Sequence, residues 1–255
     1  MIHAYGVTDA GRVRKSNEDT FLAEPALRLF AVADGMGGHN AGEVASSLAV
    51  EALASFIRRS ASDTDFSWPY GLDRTLSFDS NRLRTAILLA NRRVFRAAES
   101  TDDYNGMGTT LVGALLDGSR LAVGHAGDSR LYHFSGKRLE QVTRDDSWAA
   151  TILAQDPSLK PEDVARHPMR NVLTNVIGAR DGVEVHLAER NLQNGDFLLL
   201  CTDGLHGALD DKAVTEILSA ATDVESAART LVTTALDRGS RDNVTALVIQ
   251  FEADR

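Results

Sequence analysis

Residues 29 to 43 read LFAVADGMGGHNAGE. An apolar run, Leu29 to Ala33, delivers one carboxylate, Asp34, and Gly35, Gly37 and Gly38 follow at once. Glycine loses more conformational freedom on folding than any other residue, so such a cluster signals backbone at positive φ or backbone approached closely by another group. Three more aspartates stand in matching settings: Asp203 closes FLLLCT, Asp128 follows LAVGHAG, and Asp242 precedes NVTALVIQF. Taken singly, each reads as a turn or cap residue, because Asp bonds nearby backbone. Four carboxylates at strand mouths can instead converge on one sheet edge. Without a cation they would repel one another, which makes Mg²⁺ or Mn²⁺ the natural neutraliser. Gly35 could then turn its carbonyl to an ion beside Asp34, with Gly37 and Gly38 making the tight turn into a helix that starts near Gly42.

The elements that would hold these residues are strands and helices in blocks. Short β-type runs recur as IHAYGV, TFLAE, RLFAVAD, TTLVGALLD, RLAVGHAGD, RLYHFS, VEVHLAE, DFLLLCTD and NVTALVIQF, many bounded by Gly, Asp or Asn. Helical periodicity is clear in GEVASSLAVEALASFIRRS, where Val44, Leu48, Ala52 and Phe56 form a stripe, and in NRLRTAILLANRRVFRAAES, with Leu83, Ile87, Ala90, Val94 and Ala98. VESAARTLVTTALDRG places Ala227, Leu231, Thr234 and Ala235 similarly and offers Gly239 as a C-terminal stop. These stripes predict core packing. Strands in adjacent pairs, without strict βαβ alternation, predict an α+β layered fold. Weak periodicity from Asp63 to Asp79 predicts a surface insertion. No repeat or linker divides residues 1–255, so one domain is expected.

Composition excludes several classes. With 43% apolar and 25% charged residues the chain is ordinary globular material, and its net charge of -9 argues against a general nucleic-acid binder. Its one cysteine, Cys201, precludes an internal disulfide or a thiolate zinc cluster and lies in an apolar strand as a buried, inert thiol. The N-terminus lacks the apolar stretch of a signal peptide, and no run approaches the ~20 apolar residues of a membrane span. A cytoplasmic protein without nucleic-acid or membrane partners is expected.

Six blocks in order carry a resemblance over nearly the whole chain: Arg14-Lys15-Ser16-Asn17-Glu18-Asp19, Asp34-Gly35-Met36-Gly37-Gly38, Gly108-Thr109-Thr110, Gly127-Asp128-Ser129-Arg130, Thr202-Asp203-Gly204-Leu205 and Arg241-Asp242-Asn243-Val244-Thr245. The sequence resembles the metal-dependent serine/threonine protein phosphatases of type 2C, most of all the bacterial branch. The resemblance implies a four-layer αββα sandwich of two antiparallel sheets flanked by helices, with two Mn²⁺ or Mg²⁺ ions at one end. It implies that Asp34 bridges both ions, that the Gly35 carbonyl ligates one, and that Asp203 and Asp242 complete the other. Glu18 and Asp19 would act behind them through waters, and Asp128 with Asp203 would hold a third, weaker ion. Arg14 would grip phosphate, a role suited to its planar fork, although Arg14 also reads as a solvated charge in a polar stretch. Thr109 and Thr110 would support the sheet and the site.

A water shared by two cations about 3.5 to 4 Å apart has its pKa pulled from about 15.7 toward about 7, and could attack phosphorus in line without a covalent enzyme intermediate. Animal relatives have a histidine in the glycine block where this chain has Met36, which leaves the general acid open between His39, three residues on, and a water on the third ion. Residues 143 to 178 correspond to the family's flap beside the site. There PEDVARHP predicts a short helix with Pro161 in its first turn and Pro168 at its end, and His167 packing at the helix end. The expected partners are phosphoserine and phosphothreonine proteins made by a bacterial Ser/Thr kinase, with the enzyme a monomer. A noncatalytic phosphoprotein-binding module and another two-metal phosphoesterase are the alternatives.

Overall fold

A computed structural model describes residues 1–38, 40–62, 67–156 and 158–253. In chain order the strands are β1 (Ile2–Asp9), β2 (Asp19–Glu24), β3 (Leu29–Met36), β4 (Gly108–Thr109), β5 (Leu111–Asp117), β6 (Arg120–Ala126), β7 (Arg130–Ser135), β8 (Arg138–Gln141), β9 (His186–Asn191), β10 (Phe197–Cys201) and β11 (Val244–Phe251). One sheet runs β1-β11-β10-β7-β8, and the other runs β2-β3-β5-β6-β9 with β4 paired to β3. Helices α1 (Ala41–Ser62) and α2 (Phe78–Ser100) cover the second sheet. The short α3 (Trp148–Gln155), α4 (Pro161–Val164) and α5 (Asp203–His206) lie in connections, while α6 (Asp211–Ala220) and α7 (Val224–Asp237) cover the first sheet. The four-layer αββα sandwich is therefore present.

Between the sheets, Phe30, Val32, Val112, Val123, Leu131, Leu198, Leu200, Leu247 and Ile249 meet in one solvent-free layer. Each such side chain stabilises by roughly 1.5–3 kcal/mol when buried. This layer holds the two sheets face to face, so strand ends from both arrive at a common rim. The rim carries the site.

The second helical stripe is placed as expected, with Leu83, Ile87, Ala90 and Val94 fully buried and Ser77 capping the helix by accepting from the Ser80 N–H at 3.1 Å. Helix α7 begins with a capping box between Asp223 and Ser226. It ends at Gly239, whose φ is 88°; the Gly239 N–H bonds the Leu236 carbonyl and the Ser240 N–H reaches back to Ala235, closing the helix as a Schellman turn.

The first helical stripe is half placed as expected, with Ala52 and Phe56 buried. Val44 and Leu48 are only half-buried, whereas Ala41, Ala45, Ala49, Leu53 and Ile57 form the ridge against the sheet. Small alanines let the helix approach β3, a preference that hydropathy weights against. Several elements escaped periodicity, among them α3, α5, β8 and α6. Strand β8 has no apolar run and exists because Gly136 (φ 54°) and Lys137 (φ 70°) make a tight two-residue hairpin. Helix α6 is started by Asp210, which accepts from the Ala213 N–H at 2.9 Å. Helix α4 ends at Val164, so Pro168 does not terminate it. Helix α2 begins at Phe78, inside the expected insertion, and Trp68 packs edge-on against Phe56 and Phe78 at centroid distances of 6.2 and 5.7 Å. Residues 63–66 of that stretch, like His39, lie outside the described residues.

Candidate metal centre

The fold brings the predicted acids to one rim. Asp19 opens β2 directly opposite Asp34 in β3. Asp203 is the first residue of α5, immediately beyond β10, and Asp242 stands two residues before β11. Asp128 occupies the turn from β6 to β7, after Gly127 at φ 103°. Glu18 precedes β2, and Arg14 lies in the loop between β1 and β2.

Their electrostatics show how close the convergence is. Burial, then the charges of Asp19, Asp203, Asp128 and Asp242, push the Asp34 carboxyl well above the usual carboxylate range, although one edge of the residue stays open to solvent. Burial raises Asp19 to about 7 against the opposing pull of the Thr245 and Thr202 hydroxyls. Asp128 is likewise pushed up to about 7 by burial, then by Asp203 and Asp145. Asp203 is raised by burial and by Asp242, and Glu18 is raised chiefly by burial, with Arg14 opposing.

Neutral side chains aim these acids. The Thr202 and Thr245 hydroxyls donate to Asp19 Oδ2 at 2.8 and 2.6 Å. The Asp34 N–H donates to Thr110 Oγ1 at 2.9 Å, and the Asp34 carbonyl accepts from the Thr110 N–H at 2.9 Å and the Thr109 hydroxyl at 2.8 Å. Asn243 is a hub that the sequence reading left without a role. Its side-chain amide donates to the Ala10 and Ser16 carbonyls, and its Oδ1 accepts from the Glu18 N–H, all at 2.9 Å. It thereby ties the Arg14 loop to the start of β11. Thr202, Thr245 and Asn243 all fall within the quoted blocks; the available signal was a polar residue at the mouth of an otherwise apolar strand.

The glycines answer to close packing. Gly35, Gly37 and Gly38 are not among the positive-φ glycines. A Cβ on Gly35 would lie 2.0 Å from the Gly42 carbonyl oxygen and 2.7 Å from that of Glu18, so the bare backbone lets β3, the start of β2 and the first turn of α1 meet. A Cβ on Gly42 would strike the Glu18 carboxylate, with Cδ at 2.6 Å.

Does this donor set fit a cation? Asp19 Oδ1 and Asp203 Oδ1 are buried and have no hydrogen-bond partner. An orphaned buried carboxylate oxygen is costly, and oxygens of this kind in a group of mutually repelling acids fit a hard divalent ion. Among the described residues no three acids close into a finished cage. Asp242 is turned aside to Arg14 Nη2 at 2.6 Å and accepts the Asn243 N–H at 2.9 Å. Arg14 itself is half exposed at the mouth of the site.

Behind Asp128 lies a network that sequence reasoning did not anticipate. Asp146 accepts from the Gly127 N–H at 2.9 Å, Asn175 Nδ2 at 2.7 Å and His186 Nε2 at 2.9 Å. Arg130 clamps Asp145 through two bonds of 2.9 and 2.6 Å. The bonds from Gly127, His186 and Arg130 fasten residues 143–178 to the rim, as does the bridge Thr109–Ile177, while Ser147–Leu173 and Asn175–Asp146 close the segment on itself. His167 stacks on Trp148 at 4.3 Å, the packing role expected of it. Met36 closes β3 beside Gly108 and has no proton to donate. Cys201 is fully buried and its thiol is pushed up to about 12, which leaves it inert.

Comparison with known proteins agrees with this arrangement. A family model described as protein phosphatase 2C matches residues 11–239. The serine/threonine phosphatase stp of Listeria monocytogenes is 34% identical over 252 residues, covering 98% of this chain and 96% of that protein. The crystal structure of the Mycobacterium tuberculosis serine/threonine phosphatase PstP/Ppp superimposes with a TM-score of 0.84 at 36% identity, over 98% of this chain and 99% of that one. A second structure, the catalytic domain of PstP in complex with two manganese ions, gives a TM-score of 0.80 at 36% identity, over 98% and 97% of the two chains. With its fold, its rim of carboxylates and its sequence all in agreement, the chain belongs to the protein phosphatase 2C family.

Proposed function

We propose that this metal-dependent serine/threonine protein phosphatase would hold two Mn²⁺ or Mg²⁺ ions on the carboxylate rim through Asp34, the Gly35 carbonyl, Asp203 and Asp242. Glu18 and Asp19 act from behind, and Asp128 with Asp203 takes a third ion. Such ions supply Lewis-acid stabilisation of phosphoryl charge and a water acidic enough to react near neutral pH. The chain's own residues do the rest. Thr202 and Thr245 hold Asp19 Oδ2 and leave Oδ1 buried and unpaired. Thr109 and Thr110 fix the backbone of Asp34. Arg14, held at the mouth by Asp242, presents a planar fork that bonds two phosphate oxygens and orients the monoester.

The observation that carries this reading is the pair of orphaned oxygens, Asp19 Oδ1 and Asp203 Oδ1, in a cluster where burial also raises the carboxyls of Asp19, Asp34, Asp128 and Asp203. The substrates are phosphoserine and phosphothreonine proteins produced by a Ser/Thr kinase. The whole chain acts as one catalytic unit and as a monomer, with 143–178 as its flap. Among the described residues no helix is long and apolar enough to cross a membrane. The test is Mn²⁺-dependent phosphate release from a phosphothreonine peptide, with EDTA and Asp203→Ala as controls, beside calorimetric titration of the same proteins with Mn²⁺. Hydrolysis that survives exhaustive chelation, or full Mn²⁺ uptake by Asp203→Ala, would refute the assignment.

A further inference from the structure

The outer face of α1 and α2 carries a feature that the acid rim does not explain. The two helices run antiparallel, tied by Arg82 Nη2 to the Ile57 carbonyl at 2.8 Å and by Arg93 Nη2 to Glu51 Oε2 at 2.5 Å. Between them lies a groove of about 450 Å³ whose floor includes Ala52, Phe56 and Leu89 and whose edges are Arg59 from α1 and Arg92, Arg93 and Arg96 from α2. All four arginines are exposed. Among the described residues, Arg93 alone of the four has a carboxylate partner, Glu51; Arg59 sits 5.8 Å from the Phe56 ring centroid, and Arg92 and Arg96 have no partner. In a chain with 27 basic and 36 acidic residues, this is a local reversal of charge.

Guanidinium forks of Arg92 and Arg96 without a carboxylate partner, on a groove also edged by Arg59 and Arg93, suit a phosphate dianion, which can accept two bonds from one fork. A nucleic acid fits less well: the floor ring, Phe56, is buried at 2% exposure and unavailable for stacking, and the net charge of -9 repels an extended polyanion. A membrane also fits less well, because none of the exposed large apolar residues lines the groove. We propose that this groove docks a second phosphorylated side chain of the protein substrate, away from the phosphate being hydrolysed. The proposal rests on the phosphatase reading above.

Geometry sets the spacing. Helix α1 starts at Ala41, one residue from the Gly42 carbonyl that abuts Gly35. At 1.5 Å per residue, the level of Glu51 lies about 15 Å along the helix and Arg59 about 27 Å. An extended peptide advances at most about 3.3 Å per residue, so the second phosphate belongs at least about five to eight residues from the first.

The test compares two phosphothreonine peptides that differ at one position within that spacing, serine in one and a nonhydrolysable phosphonate analogue of phosphoserine in the other. For the wild-type enzyme the phosphonate peptide should show a KM about fivefold lower at unchanged kcat, an advantage that fades with salt. Arg92→Ala/Arg96→Ala should abolish the advantage and Arg92→Glu/Arg96→Glu should invert it, with the singly phosphorylated peptide unchanged in both. Fluorescence anisotropy of a labelled phosphonate-only peptide should follow the same order and needs no turnover. Equal KM values for the two peptides, an advantage that survives Arg92→Glu/Arg96→Glu, or an equal gain from glutamate at that position would overturn the proposal. So would displacement of the labelled peptide by a single-stranded oligonucleotide at lower concentration than by unlabelled phosphonate peptide. If neither peptide were hydrolysed the catalytic reading would fail, while the anisotropy would still decide the groove.

Discussion

Metal-free protein should lose stability as the pH rises through neutrality, and Asp19→Asn should remove part of that loss. Asp19 and Asp128 are each raised from 3.8 to about 7, by burial first. A carboxyl that binds its proton more tightly in the fold than in the unfolded chain contributes stability that is complete below the unfolded pKa and lost as pH rises through the folded one. At roughly 1.4 kcal/mol per pH unit, each group costs the fold up to about 3 kcal/mol between pH 5 and pH 8. For a chain of this size that is about 6–12 °C in Tm per group. Asparagine at position 19 cannot ionise and still offers an oxygen to the Thr202 and Thr245 hydroxyls. In chelator at pH 8, Asp19→Asn should therefore melt several degrees above wild type, with the gap shrinking as the pH falls toward about 4, where the carboxyl is protonated in the folded and unfolded chain alike. The same variant should bind Mn²⁺ more weakly, so added metal reverses the order. Thermal denaturation followed by circular dichroism, with EDTA and with Mn²⁺, reads both effects. Equal wild-type melting at pH 5 and pH 8 in chelator, or an Asp19→Asn protein less stable than wild type at pH 8, would refute the reasoning.

Arg14→Ala should lower kcat/KM for a phosphopeptide by about 10- to 100-fold, the loss expected of one or two charge-assisted bonds, with partial recovery in Arg14→Lys; steady-state kinetics checks this, and an unchanged value would leave Arg14 a partner of Asp242 alone. On the first helix, Ile57→Ala should cost about 2–5 kcal/mol, because it opens a cavity against the sheet, whereas half-buried Val44→Ala should cost about 1 kcal/mol. Urea unfolding distinguishes the observed ridge from the neighbouring stripe.

Legibility followed the kind of signal. The strand runs and the second and third helices were readable because hydrophobic periodicity reports burial directly, as Leu83, Ile87 and Leu231 show. The first helix misled at Val44 and Leu48, though not at Ala52 and Phe56, because its sheet-facing ridge starts with alanines that allow close approach to β3 rather than with strongly hydrophobic residues. Strand β8 rests on backbone geometry at Gly136 and Lys137, and α6 on a cap at Asp210; neither has an apolar pattern strong enough to show without its neighbours. At the site, Asp34, Asp128, Asp203 and Asp242 could be named from their place at strand mouths. The three polar residues that hold Asp19 and the Arg14 loop, Thr202, Thr245 and Asn243, could not be given roles.

What the amino-acid order determined alone is the inventory: which strands and helices form, which acids stand at their ends, and that an unneutralised group of them would be unfavourable. Those are local properties, set by propensity, periodicity and residue chemistry. The tertiary structure decided which ends share a rim, that Gly35 is bare because the Gly42 carbonyl needs its space, and that four arginines from two helices line one groove. These depend on contacts between residues far apart in the chain, and only the packing of the middle layer brings them together.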